Sequence, residues 1–201
     1  MNIDRRALLG GLAAATATAL AGCQPAAVPL RPFPDPSFAQ NGFIRLDVNE
    51  IEVVTAYRAP GIAPYVEQRF PITPERMMQR WAQERLQPTG GTLRRGRFVI
   101  EDASVRENEI ARSGGLRAAF TTQQAFLYEG SLRATLEVFS ASGENRDGFA
   151  TATVTRSQSV TENASVADRE YAAGNLLSGL MASFDAEMER QIRAYLGPFL
   201  R

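Results

Sequence analysis

Residues 127–139 read LYEGSLRATLEVF, and this stretch decides the fold. Tyr128, Gly130, Leu132, Ala134, Leu136 and Val138 fall on one side of a period-two alternation. Leu127, Glu129, Ser131, Arg133, Thr135, Glu137 and Phe139 fall on the other. Successive side chains of a strand point to opposite faces, so the segment predicts a long strand with one apolar and one mainly polar side. Ser140–Asp147 supplies turn residues, and residues 148–158 (GFATATVTRSQ) alternate again, rich in threonine. Together they predict an antiparallel hairpin.

Toward the C-terminus, Ser165 followed three residues later by Asp168 has the form of a capping box. Beyond it Leu177, Met181, Phe184, Met188, Ile192 and Tyr195 recur at spacings of three and four, which predicts a long amphipathic helix stopped at Gly197-Pro198. Asn163-Ala164-Ser165 also has the form of a glycosylation sequon, but the cap accounts for it.

Toward the N-terminus, Phe98 and Ile100 alternate with Arg97, Val99 and Glu101, a strand running on toward Val105. Residues 107–122, with Gly114-Gly115, read as a long loop. Thr73, Pro74 and Glu75 are a helix start, and Met77, Met78, Trp81 and Leu86 form its apolar side, with Pro88, Gly90 and Gly91 ending it. Residues 58–72 hold Pro60, Gly61, Pro64 and Pro71 and read as loop. Ile44, Leu46 and Val48 alternate, and Ile51, Val53 and Thr55 resume on shifted phase, which predicts one strand with a bulge near Asn49.

The order is β-α-β-β-β-α. The fold class expected from it is α+β: an antiparallel sheet of about four strands with two helices on one face. Domain organisation follows: residues 1–22 a signal, 23–41 a tether, 42–201 one globular domain.

Residues 1–22 carry Arg5 and Arg6 ahead of the apolar run ALLGGLAAATATALAG, and end at Leu20-Ala21-Gly22-Cys23. A charged start, a short apolar stretch and small residues make an export signal, and the run is too short and too weakly apolar for a comfortable bilayer span of about 20 residues. Arg5-Arg6-Ala7-Leu8-Leu9 is similar to a twin-arginine export motif, with Asp4 where Ser or Thr is usual. The tetrapeptide at 20–23 resembles the bacterial lipobox. The resemblance implies cleavage after Gly22 and a diacylglycerol on Cys23, hence a membrane partner through the lipid anchor. Two acyl chains suffice for stable anchoring at about 0.8 kcal/mol per buried methylene. Gln24 after the cysteine implies, by the sorting rule of enteric bacteria, the outer membrane facing the periplasm. The following 24–41 hold five of the eleven prolines and read as a semi-rigid spacer reaching on the order of 50 Å.

Composition excludes much chemistry. The chain has 201 residues, 44% hydrophobic and 22% charged, with zero formal net charge. It has no histidine, no lysine and one cysteine; all 22 basic residues are arginine. No internal disulfide can form. Cys/His metal sites, Ser–His, Cys–His and Ser–Lys units and a Walker lysine are all unavailable. No cofactor, metal, catalytic residue or nucleic-acid partner is expected.

Several clusters invite a sharper reading. Arg94, Arg95 and Arg97 are a candidate anionic-headgroup contact, since the guanidinium fork binds two oxygens at once; a solvated turn is the plainer alternative. Glu101-Asp102 and the pair Asp185/Glu189 could be acid/base couples, but adjacent strand residues diverge and i,i+4 acids usually face water. Met77, Met78 and Trp81 could line an apolar pocket or simply fill a core. Leu177, Leu180, Phe184 and Met188 are a candidate partner-helix face, with packing on the sheet the favoured arrangement.

The element order, behind a lipobox and a proline-rich spacer, resembles the auxiliary lipoproteins of lipid-transport ABC systems, and in architecture the lipopolysaccharide-assembly lipoprotein. The likeness covers residues 43–196 as a pattern of elements and carries over no site residue except Cys23. It implies a non-enzymatic envelope lipoprotein with an envelope protein as partner. A binding module for a lipid or other apolar ligand and a carboxylate-based glycan hydrolase are the alternatives. A large apolar pocket would mark the first alternative, and facing carboxylates about 5–10 Å apart in a cleft the second.

Overall fold

Among the described residues, six strands and two α-helices are built from these patterns. They are β1 (Ile44–Leu46), β2 (Glu50–Thr55), α1 (Pro74–Arg85), β3 (Leu86–Pro88), β4 (Arg95–Glu109), β5 (Gln124–Phe139), β6 (Arg146–Thr161) and α2 (Val166–Tyr195). The computed structural model describes residues 37–110, 124–143 and 145–201. The loop expected at 107–122 starts later than the sequence indicated, because β4 continues to Glu109; residues 111–123 lie outside the described residues.

The main sheet has the order β2-β4-β5-β6. Its long members pair antiparallel, Phe98 opposite Leu136 and Leu136 opposite Ala150, so the alternation at 127–139 becomes one face of a three-strand surface. Tyr128, Leu132, Ala134, Leu136 and Val138 are buried on that face. Both helices lie on it. The expected α+β architecture of four strands under two helices is therefore present. One pairing departs from it: β2 and β4 run parallel. The reason is the helix between them, which carries the chain back to the starting end so that the next strand repeats the direction of the first.

A second departure lies at Asn49. The change of phase there is not a bulge within one strand but a change of sheet. β1 pairs with β3, Ile44 opposite Leu86, while β2 joins β4. Leu200 bridges back to Leu46, and the Asp47 amide donates to the Phe199 carbonyl at 2.8 Å, so the chain end closes this small sheet. The Pro88 and Gly90-Gly91 stop is likewise not where α1 ends. Leu86 turns extended, with φ −91° and ψ 121°, and the chain enters β3 directly.

Caps follow the sequence. Thr73 Oγ1 accepts from the Arg76 amide at 3.3 Å, and Ser165 and Asp168 form a complete capping box. Such caps contribute about 1 kcal/mol each. The core centres on Trp81 of α1, Phe98 of β4 and Phe184 of α2. Trp81 lies 5.2 Å from Phe184 in an edge-on arrangement and 5.4 Å from Phe98. Met77 and Met78 are buried beside them, as core and not as the wall of a pocket. At Gly130 of β5 a Cβ would stand 2.3 Å from the Leu180 Cδ1, so only glycine lets α2 approach the sheet this closely.

Candidate functional site

The sheet face away from the helices is open and polar. β6 contributes Thr151, Thr153, Thr155, Ser157 and Ser159, opposite Thr135, Arg133, Ser131, Glu129 and Leu127 of β5. On β4 the alternation is interrupted. Two residues, Glu101 and Asp102, stand against the single Arg133 across a bulge. The extra residue cancels the usual divergence of neighbours. The expectation that Glu101 and Asp102 point to opposite faces is thus corrected. Glu101 accepts from Arg133 Nε at 2.6 Å and from Thr135 Oγ1 at 2.9 Å, while Asp102 joins Ser104, Ser131 and Thr155 around a shallow concavity of about 550 Å³ on the open face.

The charges there are answered from within. Glu129 accepts from Asn108 Nδ2, and Asp102 Oδ1 from the Ser104 amide at 3.2 Å. Arg106 lies over the Tyr65 ring at 5.2 Å. The arrangement offers hydroxyls alongside paired acidic and basic side chains.

At the hairpin end the same face holds a triad. Glu137, buried, accepts from Arg97 Nε at 2.9 Å and from Arg146 Nη1 at 2.8 Å. Each arginine also covers an aromatic ring, Arg97 over Phe139 at 4.8 Å and Arg146 over Phe149 at 4.4 Å. Burial alone would push the Glu137 carboxyl up, but the hydrogen bonds from Arg146 and Arg97 outweigh it and hold the group below the usual range.

The three clustered arginines do not form one anion site. Arg94, just ahead of β4, pairs with Asp47 at 3.3 Å and Asp147 at 3.6 Å. Arg97 belongs to the Glu137 triad. Arg95 and Arg97 both border a concavity of about 390 Å³, but with Glu50 and Glu52 on its rim. The three arginines are thus divided between separate neighbourhoods, each with acidic groups.

A second buried network lies between the helices, and sequence reasoning missed it. Arg85, at the end of α1, donates through Nε to Asp185 Oδ1 at 2.7 Å. Trp81 Nε1 donates to the same oxygen at 2.7 Å, and Asn41 Nδ2 to Asp185 Oδ2 at 2.9 Å. The remaining Arg85 donors reach Glu189 and the carbonyls of Asn41 and Gly42. The pair Asp185/Glu189 therefore faces inward onto an arginine, not water as i,i+4 acids usually do. Its geometry is that of a clamp: it binds residues 41–42 to both helices, and Phe38, expected from the sequence to lie in the spacer, is buried in the core, so the folded unit begins before residue 42.

Leu177, Leu180, Phe184 and Met188 are at most 2% exposed. They are the α2 side of the core and not a partner face. Arg5, Arg6, Leu20, Ala21, Gly22 and Cys23 lie outside the described residues. Among the described residues, no helix is long and apolar enough to cross a membrane, and no cluster of acidic or thiol side chains is placed to hold a metal ion.

No protein-family profile matches the chain, and no curated protein matches it. Among solved structures, a Xanthomonas campestris protein of the family described as DUF330 aligns over 75% of this chain and 86% of its own, at 9% identity and a TM-score of 0.36. A PelC dodecamer from Paraburkholderia phytofirmans aligns over 74% of this chain and 92% of its own, at 12% identity and a TM-score of 0.23.

Proposed function

We propose that this chain is a non-enzymatic lipoprotein of a bacterial envelope, anchored by a diacylglycerol on Cys23 and assisting transport or assembly there. The observation that carries the reading is Leu20-Ala21-Gly22-Cys23 at the end of a charged and then apolar segment. Gln24 favours the outer membrane, with the domain in the periplasm. The domain's geometry supports a docking role over the two alternatives. Trp81, Phe98, Phe184, Leu132 and Leu180 fill the space between sheet and helices where an apolar ligand would have to sit. The carboxyls of the open face are spent on arginine, asparagine and backbone donors. A protein of the envelope, meeting the hydroxyl-rich sheet face, is the partner this surface fits.

Intact mass spectrometry of the membrane-extracted protein tests the anchor. A mature chain starting at Cys23 and carrying the mass of a diacylglycerol is expected. A mature chain starting elsewhere, or a Cys23→Ala variant that still fractionates with membranes after carbonate washing, would overturn the reading.

A further inference from the structure

β6 is the edge of the main sheet and is 16 residues long, about 50 Å at 3.3 Å per residue. Among the described residues it has no strand on its outer side. The opposite edge is short: it is the six-residue β2, and the rest of the long strand β4 is covered. β2 takes the first part of β4, and beyond it the Val66 amide donates to the Val105 carbonyl and the Glu107 amide to the Pro64 carbonyl. Proteins blunt long edges with lysine, proline, charge or bulges. Between Gly148 and Val160, β6 has no proline, no acidic residue and one charge, Arg156, and its register with β5 is unbroken from Gly148 to Ser159.

The flank of α2 above this edge is made of small residues. A Cβ on Gly179 would stand 2.3 Å from Arg156 Nη1, which fixes this side of the helix over β6. Ser183 lies one turn further on the same side, with Ala182 and Ala186 beside it. Flanks this slim let two helices approach at the short end of the 8–10 Å range.

We propose that this face binds a second copy of the same chain, β6 pairing antiparallel with its equivalent about a two-fold axis at Thr153. The axis falls at the strand's midpoint, so residues 146–160 all find partners. Thr153 meets its own equivalent, Thr151 meets Thr155 of the partner subunit and Phe149 meets Ser157 of the partner subunit. Threonine pairs favour such contacts, and like charges directly opposed would weaken them. None is opposed here, because Arg156 meets an alanine and Arg146 a valine. The edge with the helix flank gives a strip about 50 Å long and on the order of 15 Å deep, roughly 750 Å² per partner, which matches the ~800 Å² of stable interfaces. A C2 contact is closed, so the exposed edge is consumed and does not propagate.

Cysteine cross-linking in the full chain tests the proposal, with the wild-type chain and a Cys23→Ser background carried alongside. Thr153→Cys places two thiols opposite each other across the axis and is expected to yield a disulfide-linked dimer on non-reducing gels under mild oxidation. Ser157→Cys, whose equivalent lies roughly 26 Å away, is expected to remain monomeric. Adding Ala186→Arg to Thr153→Cys should cut the dimer at least tenfold while the thermal melt is unchanged. A folded Thr153→Cys protein that stays monomeric overturns the proposal, as does equal cross-linking from Ser157→Cys. The outcome is independent of acylation, since the Cys23→Ser background reads the same contact.

Discussion

The Nε of Arg85 lies 2.7 Å from Oδ1 of Asp185, joining the last residue of α1 to the middle of α2 across a separation of 100 positions. Both side chains are nearly excluded from water. Breaking such a buried pair costs about 3–5 kcal/mol when the remaining charge is left uncompensated; here Glu189 still faces Arg85, and Trp81 and Asn41 still donate to Asp185, so the lower end applies. Arg85→Ala and Asp185→Ala are each expected to lose that much in urea unfolding. The double variant should lose clearly less than the sum, because neither member of the direct pair is left facing the other's vacancy. Full additivity would mean that the two groups are solvated independently.

The close approach of α2 to β5 gives a second expectation. Gly130→Ala puts a methyl 2.3 Å from Leu180 Cδ1, and Leu180 has no exposed surface into which it could turn. Overpacking of this kind costs typically 1–3 kcal/mol. Leu180→Ala alone should lose about 2–5 kcal/mol through the cavity it opens. Gly130→Ala combined with Leu180→Ala should be less destabilised than the two single losses added, since the new methyl occupies part of that cavity. Denaturant midpoints with unchanged slopes would report all three values.

Much of this was legible in the sequence. Period-two alternation located β4, β5 and β6, and the caps at Thr73 and Ser165 were visible as residue types at fixed spacing. These signals are local. The parallel pairing of β2 with β4 was not legible, because it depends on where α1 carries the chain. Nor was the division of residues 44–55 between two sheets: a shifted phase looks the same whether a strand bulges or changes partner. The Glu137 triad required the register that sets Arg97 of β4 opposite Glu137 of β5. Arg85 carried no signal at all, since an arginine in the last helical turn is ordinarily read as a solvated partner of the helix dipole. The bulge that turns both Glu101 and Asp102 to the open face is one inserted residue, invisible without its partner strand.

A half-buried tyrosine supplies a further test. Tyr57 Oη donates to Glu67 Oε1 at 2.7 Å, and Glu67 is only 2% exposed. Burial, reinforced by the acceptor carboxylate, pushes the Tyr57 phenol well above its ordinary value of 10. Tyr57→Phe leaves Glu67 with a single long contact, the Val105 amide at 3.4 Å. A loss of about 1–3 kcal/mol is expected from the unsatisfied acceptor. Tyr65→Phe, at the exposed Arg106 contact, should change stability by less than about 0.5 kcal/mol.

Stability should form a plateau in pH, with each limb assigned to named groups. Hydrogen bonds from Arg146 and Arg97, outweighing burial, depress Glu137; Arg193 foremost, and Arg85, depress Glu189; Arg190 depresses Glu187. A depressed carboxyl binds fewer protons folded than unfolded. Its contribution is complete above the ordinary value of 4.5 and is lost as pH falls through the folded values. Tyr57 and Tyr128 are raised, chiefly by burial, and work in the opposite sense. They retain protons that the unfolded chain gives up, so their contribution is complete below 10 and is lost as pH rises beyond it. The chain has no histidine, the side chain whose ordinary value lies between these limits. Thermal melting should therefore be flat from about pH 5 to 8, fall below about 4.5 and fall again above about 10. Glu137→Gln should make the acid limb shallower, and Tyr57→Phe the alkaline limb, each leaving the other limb as it was. A midpoint that moved by several degrees between pH 5 and 8 would require a carboxyl with a strongly raised value, the signature of a working acid, and would count against the non-enzymatic reading.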